Sequence, residues 1–143
     1  IEQRMQPQLE LAYSNGFHKQ LTSLATPLLK QIPTLLQEHN PQPSLVHGDL
    51  WGGNKGFLAD GSPVIFDPAC YYGDREVDIA MTELFGGFTA DFYQGYNRVW
   101  PLEEHYSRRK TLYNLYHQLN HLNLFGSSYL SGCISSMQSM LSG

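Results

Sequence analysis

Asp49, in the stretch Leu45-Val46-His47-Gly48-Asp49-Leu50-Trp51-Gly52-Gly53-Asn54, is followed five residues later by Asn54, and Asp67 closes the run Val64-Ile65-Phe66-Asp67 just beyond. An aspartate, an asparagine at that offset and a second aspartate on the next hairpin have the spacing of a phosphoryl-transfer site. The chemistry accounts for the residue types. A hydroxyl attacking the γ-phosphorus of ATP needs a carboxylate close by to orient it and accept its proton; Asp49 is the expected base. Mg²⁺ offsets the charge on the phosphates and prefers oxygen ligands, so the Asn54 amide oxygen and the Asp67 carboxylate are the expected metal ligands. An isolated His-Gly-Asp triplet would be ordinary turn chemistry; the offset to Asn54 and the hairpin ending in Asp67 carry the reading. His47 is expected to hold the loop by a hydrogen bond. A zinc site is not expected, because no Cys or second His lies at ligand spacing around it.

The elements that must position these side chains are legible nearby. Ser44 to His47 reads as a short strand. Gly48, Gly52 and Gly53 let the loop take backbone angles that a Cβ resists. Lys55 to Leu58 and Pro63 to Phe66 are two apolar runs separated by Asp60-Gly61, a hairpin signal. That hairpin folds Asp67 back beside Asn54, 13 residues away in sequence. Tyr71-Tyr72-Gly73 reads as loop. Asp74 then caps a helix from Arg75 to Phe85 that Gly86-Gly87 closes. Asp78, one turn into that helix, either ties down the backbone of the catalytic loop or favours the helix N-terminus; a structural role is expected. Trp51 lies on the loop between base and metal ligand and is expected to stack on a substrate or wall off water, with core packing as the alternative.

The remaining segments read as a helical body. Glu2 to Asn15 is an expected helix with Gly16 as its stop. Phe17, Leu21 and Leu24 recur at helical spacing, and Thr26-Pro27 reads as a new cap with Pro at the first helical position. Asn40-Pro41-Gln42-Pro43 is a rigid connector. Thr89 to Val99 and Leu102 to Phe125 are further helices, the longer one with Leu112, Leu115, Leu119 and Leu122 on one face. His117 and His121 are four apart on that helix. They are expected to pack and hydrogen-bond against the catalytic loop rather than to bind metal, since Gln118 stands where a zinc protease motif has Glu. Leu130, Cys133, Ile134, Met137 and Leu141 mark a final amphipathic helix. Cys70, close to Asp67 in sequence, either makes the site oxidation-sensitive or is a buried, inert thiol, and the second is expected.

The chain has 143 residues, 41% of them hydrophobic, which suits one domain with its own core. A net charge of −4 argues against nucleic acid or an anionic membrane as partner. No apolar run has the length of a transmembrane helix, and no signal peptide opens the chain. Two cysteines form no framework, so a reducing cytoplasm is the expected location.

Three stretches carry a closer resemblance: His47-Gly48-Asp49-Leu50-Trp51-Gly52-Gly53-Asn54, the run from Asp67-Pro68-Ala69-Cys70 through Tyr71-Tyr72-Gly73-Asp74 to Arg75-Glu76-Val77-Asp78, and Asn120-His121-Leu122-Asn123-Leu124-Phe125-Gly126. Together they resemble the fructosamine kinase (ketosamine-3-kinase) family, within the larger group of aminoglycoside phosphotransferase-like kinases. The resemblance covers essentially the whole chain as a C-terminal lobe. It implies a mainly α fold with a small β-hairpin, the C-terminal lobe of a protein-kinase-like fold, in a single domain over residues 1–143. It also implies ATP-dependent phosphorylation of a sugar hydroxyl on a ketosamine, with Asp49 taking the proton and Mg²⁺ as cofactor. Since a ketosamine carries a cationic amine and several hydroxyls, Asp74, Arg75 and Glu76 either line the acceptor site or form an exposed charged cap. Asp67-Pro68-Ala69 stands where a protein kinase has Asp-Phe-Gly, so no flipping Phe switch is expected. Kinases of this type need an N-terminal lobe with a Gly-rich loop and a strand-borne Lys over the ATP phosphates. Neither precedes the loop here, so the chain alone is expected to bind ATP poorly and turn over little. The alternatives are another small-molecule kinase of the superfamily, acting on an aminoglycoside, choline or homoserine, and a non-catalytic binding module.

Overall fold

Leucines at spacings of three and four share one helical face, and burial of that face organises one half of the chain. The computed structural model describes residues 1–142. They fall into two units, Ile1–Asn40 with the chain from Ser107 onward, and Pro41–Tyr106. The first is all helical: α1 (Met5–Ala12), a π-helical turn (Tyr13–Phe17), α2 (His18–Leu36), α5 (Tyr106–Phe125), a 3₁₀ turn (Ser127–Tyr129) and α6 (Leu130–Ser142). The second carries β1 (Ser44–Val46), a 3₁₀ turn (Gly52–Asn54), β2 (Lys55–Phe57), β3 (Pro63–Ile65), β4 (Tyr71–Gly73), α3 (Glu76–Leu84) and α4 (Ala90–Val99). No helix among the described residues is long and apolar enough to cross a membrane.

In the helical unit Leu112, Leu115, Leu119 and Leu122 of α5 are all buried, packed in one cluster with Leu21 and Leu28 of α2 and Cys133 and Met137 of α6. Gly16 takes φ 95° and breaks the first helix as expected, but the chain re-enters a helix at once. Pro27 does not start a helix. It lies inside α2, as does Pro33. Leu21, Ala25, Leu28 and Ile32 are buried in a stripe that runs straight past Pro27. A Pro inside a helix costs about 3 kcal/mol, and burying Leu28 and Ile32 on one continuous face returns about 1.5–3 kcal/mol for each. The stripe therefore outweighs the break. Burial pushes the His117 imidazole down to about 4, with His121 and Arg4 adding to the effect, so the ring is neutral near pH 7. Asn123 donates to the backbone carbonyl and side-chain oxygen of Gln8 at 2.9 and 2.8 Å, and Gln8 donates to Asn120 at 3.4 Å. The asparagines of the third stretch therefore clamp α1 to α5.

In the second unit β2 and β3 form the expected hairpin, Lys55 opposite Ile65 and Phe57 opposite Pro63. Its turn is fixed by Gly61 at φ 84° and by Asp60, whose carboxylate accepts from the Ser62 amide at 2.9 Å. That bond holds the Asp60 carboxyl below its usual range. Tyr71–Gly73 is not loop: it is β4, antiparallel to β1, with Leu45 opposite Tyr72 and Val46 opposite Tyr71. The pairing joins the segment before Gly48 and Asp49 to the segment after Asp67. Cys70, expected to be buried, is exposed.

Candidate active site

The loop from His47 to Asn54 is held from both sides by groups that its neighbours supply. From α3, the Asp78 carboxylate accepts from the His47 amide at 2.7 Å and the Gly48 amide at 2.9 Å. A carboxylate accepting two backbone N–H bonds is among the stronger polar anchors a loop can have. From the strap after the hairpin, the Ala69 amide donates to the His47 carbonyl at 2.8 Å. The His47 ring completes the brace. Its Nδ1 accepts from the Asp49 amide at 3.3 Å, which places the ring proton on Nε2, and Nε2 donates to the Phe66 carbonyl at 3.0 Å.

Gly48 takes φ 82° where strap and loop meet, and a Cβ there would lie 2.1 Å from the Ala69 carbonyl oxygen. Backbone cannot yield as a side chain does. Gly48→Ala is expected to destabilise the unit by at least about 3 kcal/mol, the left-handed strain and the clash together. A shift in the denaturant midpoint of the full-length protein checks it.

Asn54 is buried, and its side-chain amide gathers the site. Nδ2 donates to the Asp49 carbonyl at 2.9 Å, to the Asp49 carboxylate Oδ2 at 3.1 Å and to the Asp67 carbonyl at 3.4 Å. Three residues spread over the loop and the far end of the hairpin thus meet at one nitrogen. With Nδ2 committed to these oxygens, Oδ1 of Asn54 is the atom left for a cation. The hairpin sets this distance: the Phe66 amide donates to the Asn54 carbonyl at 3.1 Å, extending the β2–β3 ladder to the residue before Asp67. Asp67 itself is exposed and sits at φ 55°, a left-handed conformation uncommon outside glycine and asparagine-like residues. Asp67 thus leaves an exposed carboxylate at the far end of the hairpin.

Trp51 is 42% exposed on the loop, its amide donating to the Asp49 carbonyl at 3.1 Å. Asp74 is half-buried two residues ahead of α3, and its carboxylate accepts from the amide of Glu76, the first residue of that helix, at 3.0 Å. Glu76 is only 1% exposed. In this structure Glu76 therefore offers no open surface to an acceptor. Arg75 is buried as well. Its guanidinium donates to the Tyr96 hydroxyl at 2.8 Å, the Trp100 carbonyl at 3.0 Å and the Pro101 carbonyl, stacked 4.2 Å from the Trp100 ring centroid. Arg75 pins the end of α4, a role no local motif announced. His121 lies in the helical unit, its Nδ1 2.7 Å from the His117 carbonyl and its ring against Phe125 and Tyr129.

The model of the fructosamine kinase family matches residues 1–143. A probable ketoamine kinase of Synechocystis sp. is 56% identical over 128 residues, which cover 90% of this chain and 42% of that protein. The ketosamine-3-kinase of Mus musculus is 38% identical over 138 residues, covering 96% of this chain and 44% of the mouse protein. The crystal structure of a candidate fructosamine-3-kinase from Thermobifida fusca matches with a TM-score of 0.85 at 34% identity, over 98% of this chain and 49% of that one. The chain spans about half the length of the relatives it matches, or somewhat less. A match along its whole length, with the same fold at that identity, shows that this chain belongs to the fructosamine kinase family.

Proposed function

We propose that the protein containing this chain transfers the γ-phosphoryl group of ATP to a sugar hydroxyl of a ketosamine, in the manner of a fructosamine or ribulosamine 3-kinase. The observation that carries the reading is the Asn54 amide, bonded at once to the carboxylate of Asp49 and the carbonyl of Asp67. In this reading the Asp49 carboxylate, steadied through Oδ2, orients the acceptor hydroxyl and takes its proton. Asn54 Oδ1 and the Asp67 carboxylate are the residues that would hold Mg²⁺, and both are the hard oxygen donors that ion prefers. When bound, Mg²⁺ supplies charge neutralisation on the phosphates. His47 and Asp78 keep the loop still, and Trp51 and Asp74 face the acceptor. A Gly-rich loop and a Lys over the phosphates belong to a preceding lobe that this chain does not contain, so the chain alone turns over little. Two free thiols, one of them the exposed Cys70, fit the reducing cytoplasm as its location.

The test is an acceptor panel with the full-length protein, ATP and Mg²⁺. Phosphate on a fructosamine or ribulosamine, lost with EDTA, supports the proposal. Phosphate only on an aminoglycoside, choline or homoserine, or on nothing, refutes it in favour of a different small-molecule kinase or a binding module.

A further inference from the structure

The inference rests on the kinase reading above and concerns the acceptor side of the same site. The Trp51 ring lies down over Gly53: a Cβ on Gly53 would sit 2.3 Å from ring atoms Cη2 and Cζ2, so the missing side chain is what makes room. Phe85, which follows α3, meets that ring edge to face, with centroids 6.4 Å apart and planes at 79°. The backbones underneath hold the two in place. A Cβ on Gly52 would lie 3.0 Å from the Gly86 carbonyl oxygen, and one on Gly87 would lie 3.2 Å from the Gly52 Cα. Gly86 and Gly87 turn the chain with φ 70° and 97°. Trp51 and Phe85 stay 42% and 46% exposed. Two half-open rings at nearly a right angle make an aromatic corner one residue beyond Leu50, on the loop that carries Asp49.

Aromatic faces attract cations. This unit uses them so elsewhere, with Arg75 over Trp100 at 4.2 Å and the Lys55 ammonium 5.3 Å from the Phe88 centroid. We infer that Phe85 is a specificity-determining residue: with Trp51 it takes the cationic, N-substituted amine of a ketosamine while the sugar hydroxyl lies at Asp49. The corner thereby selects acceptors with a protonated amine over neutral ones carrying the same sugar.

The test compares full-length wild type, Phe85→Leu, which removes the π face but keeps an apolar side chain, and Phe85→Tyr, which keeps the ring. The probes are an N-alkyl fructosamine as acceptor and its ether analogue, with oxygen in place of the amine, as a competitive inhibitor. Phe85→Leu is expected to raise KM for the fructosamine roughly 3- to 30-fold. It should leave kcat, the KM for ATP and the Ki of the ether analogue within about twofold, and Phe85→Tyr should restore KM. A purely structural role would move all of these together, and that result, or an unchanged KM, overturns the inference while the kinase reading stands. Wild type that phosphorylates no fructosamine overturns the kinase reading, and the inference with it.

Discussion

Replacing Asp49 by Asn in the full-length protein should lower kcat by about 10²- to 10⁴-fold, the range a positioned general base contributes. The substitution changes little else. Asn has the same shape, and its side-chain oxygen can still accept from Asn54 Nδ2, now 3.1 Å from the Asp49 carboxylate. The Asp49 carbonyl, which accepts from the same nitrogen, is untouched. The loop should therefore keep its form and the metal ligands their places. KM for ATP should stay within about threefold, because the lost interaction is one made in the transition state. Initial rates over a grid of ATP and ketosamine concentrations separate the two constants. An unchanged kcat would remove Asp49 from the chemistry.

The second large effect is expected at a residue that touches no substrate. Asp78 accepts from the amides of His47 and Gly48. In Asp78→Asn one of the two acceptors becomes an NH₂ group, which faces an amide N–H donor to donor. Hydrogen bonds to charged groups contribute about 1.5–3 kcal/mol, and a stranded donor adds about 1–3 kcal/mol more. A loss of about 2–4 kcal/mol is expected in urea unfolding. The loop is displaced as well as weakened. A misplacement of about 1 Å costs on the order of 10²-fold in rate, so kcat should fall by about that factor even under conditions where the variant is folded. A variant folded at wild-type stability and equally active would show that Asp78 only favours the start of its helix.

The sequence made the meeting of residues 49, 54 and 67 legible because the link between them is local. Asp60-Gly61 between two apolar runs demands a tight hairpin, and the hairpin length alone returns residue 67 to residue 54. The leucine stripe of α5 was legible for the same reason, since its period lies within one helix. What escaped notice depends on distant partners. Tyr71–Gly73 has too few residues for alternation to show, and its strand character comes from β1, 25 or more residues earlier. Pro27 reads as a helix start when judged by its neighbours, yet a buried stripe reaching from Leu21 to Ile32 carries the helix through it. Asp74, Arg75 and Glu76 look like one exposed charged cap in sequence. The fold separates them: the Arg75 guanidinium reaches the end of α4, Glu76 goes inside, and Asp74 caps the helix. Charge alone does not say which side chain finds a partner 21 to 26 residues away. The ring contact between Phe85 and Trp51 was not legible either, because a helix-terminal aromatic carries no signal until its partner is seen beside it.

The claim on which the rest depends is that Asn54 and Asp67 hold the metal within reach of Asp49. Crystals of the full-length protein with a non-hydrolysable ATP analogue and Mn²⁺ in place of Mg²⁺ test it directly through anomalous scattering. The account predicts a Mn²⁺ peak bonded to Asn54 Oδ1 and an Asp67 carboxylate oxygen, with the γ-phosphate on the side facing Asp49. A peak bound to other side chains, with Asn54 and Asp67 contacting neither metal nor phosphate, would contradict it.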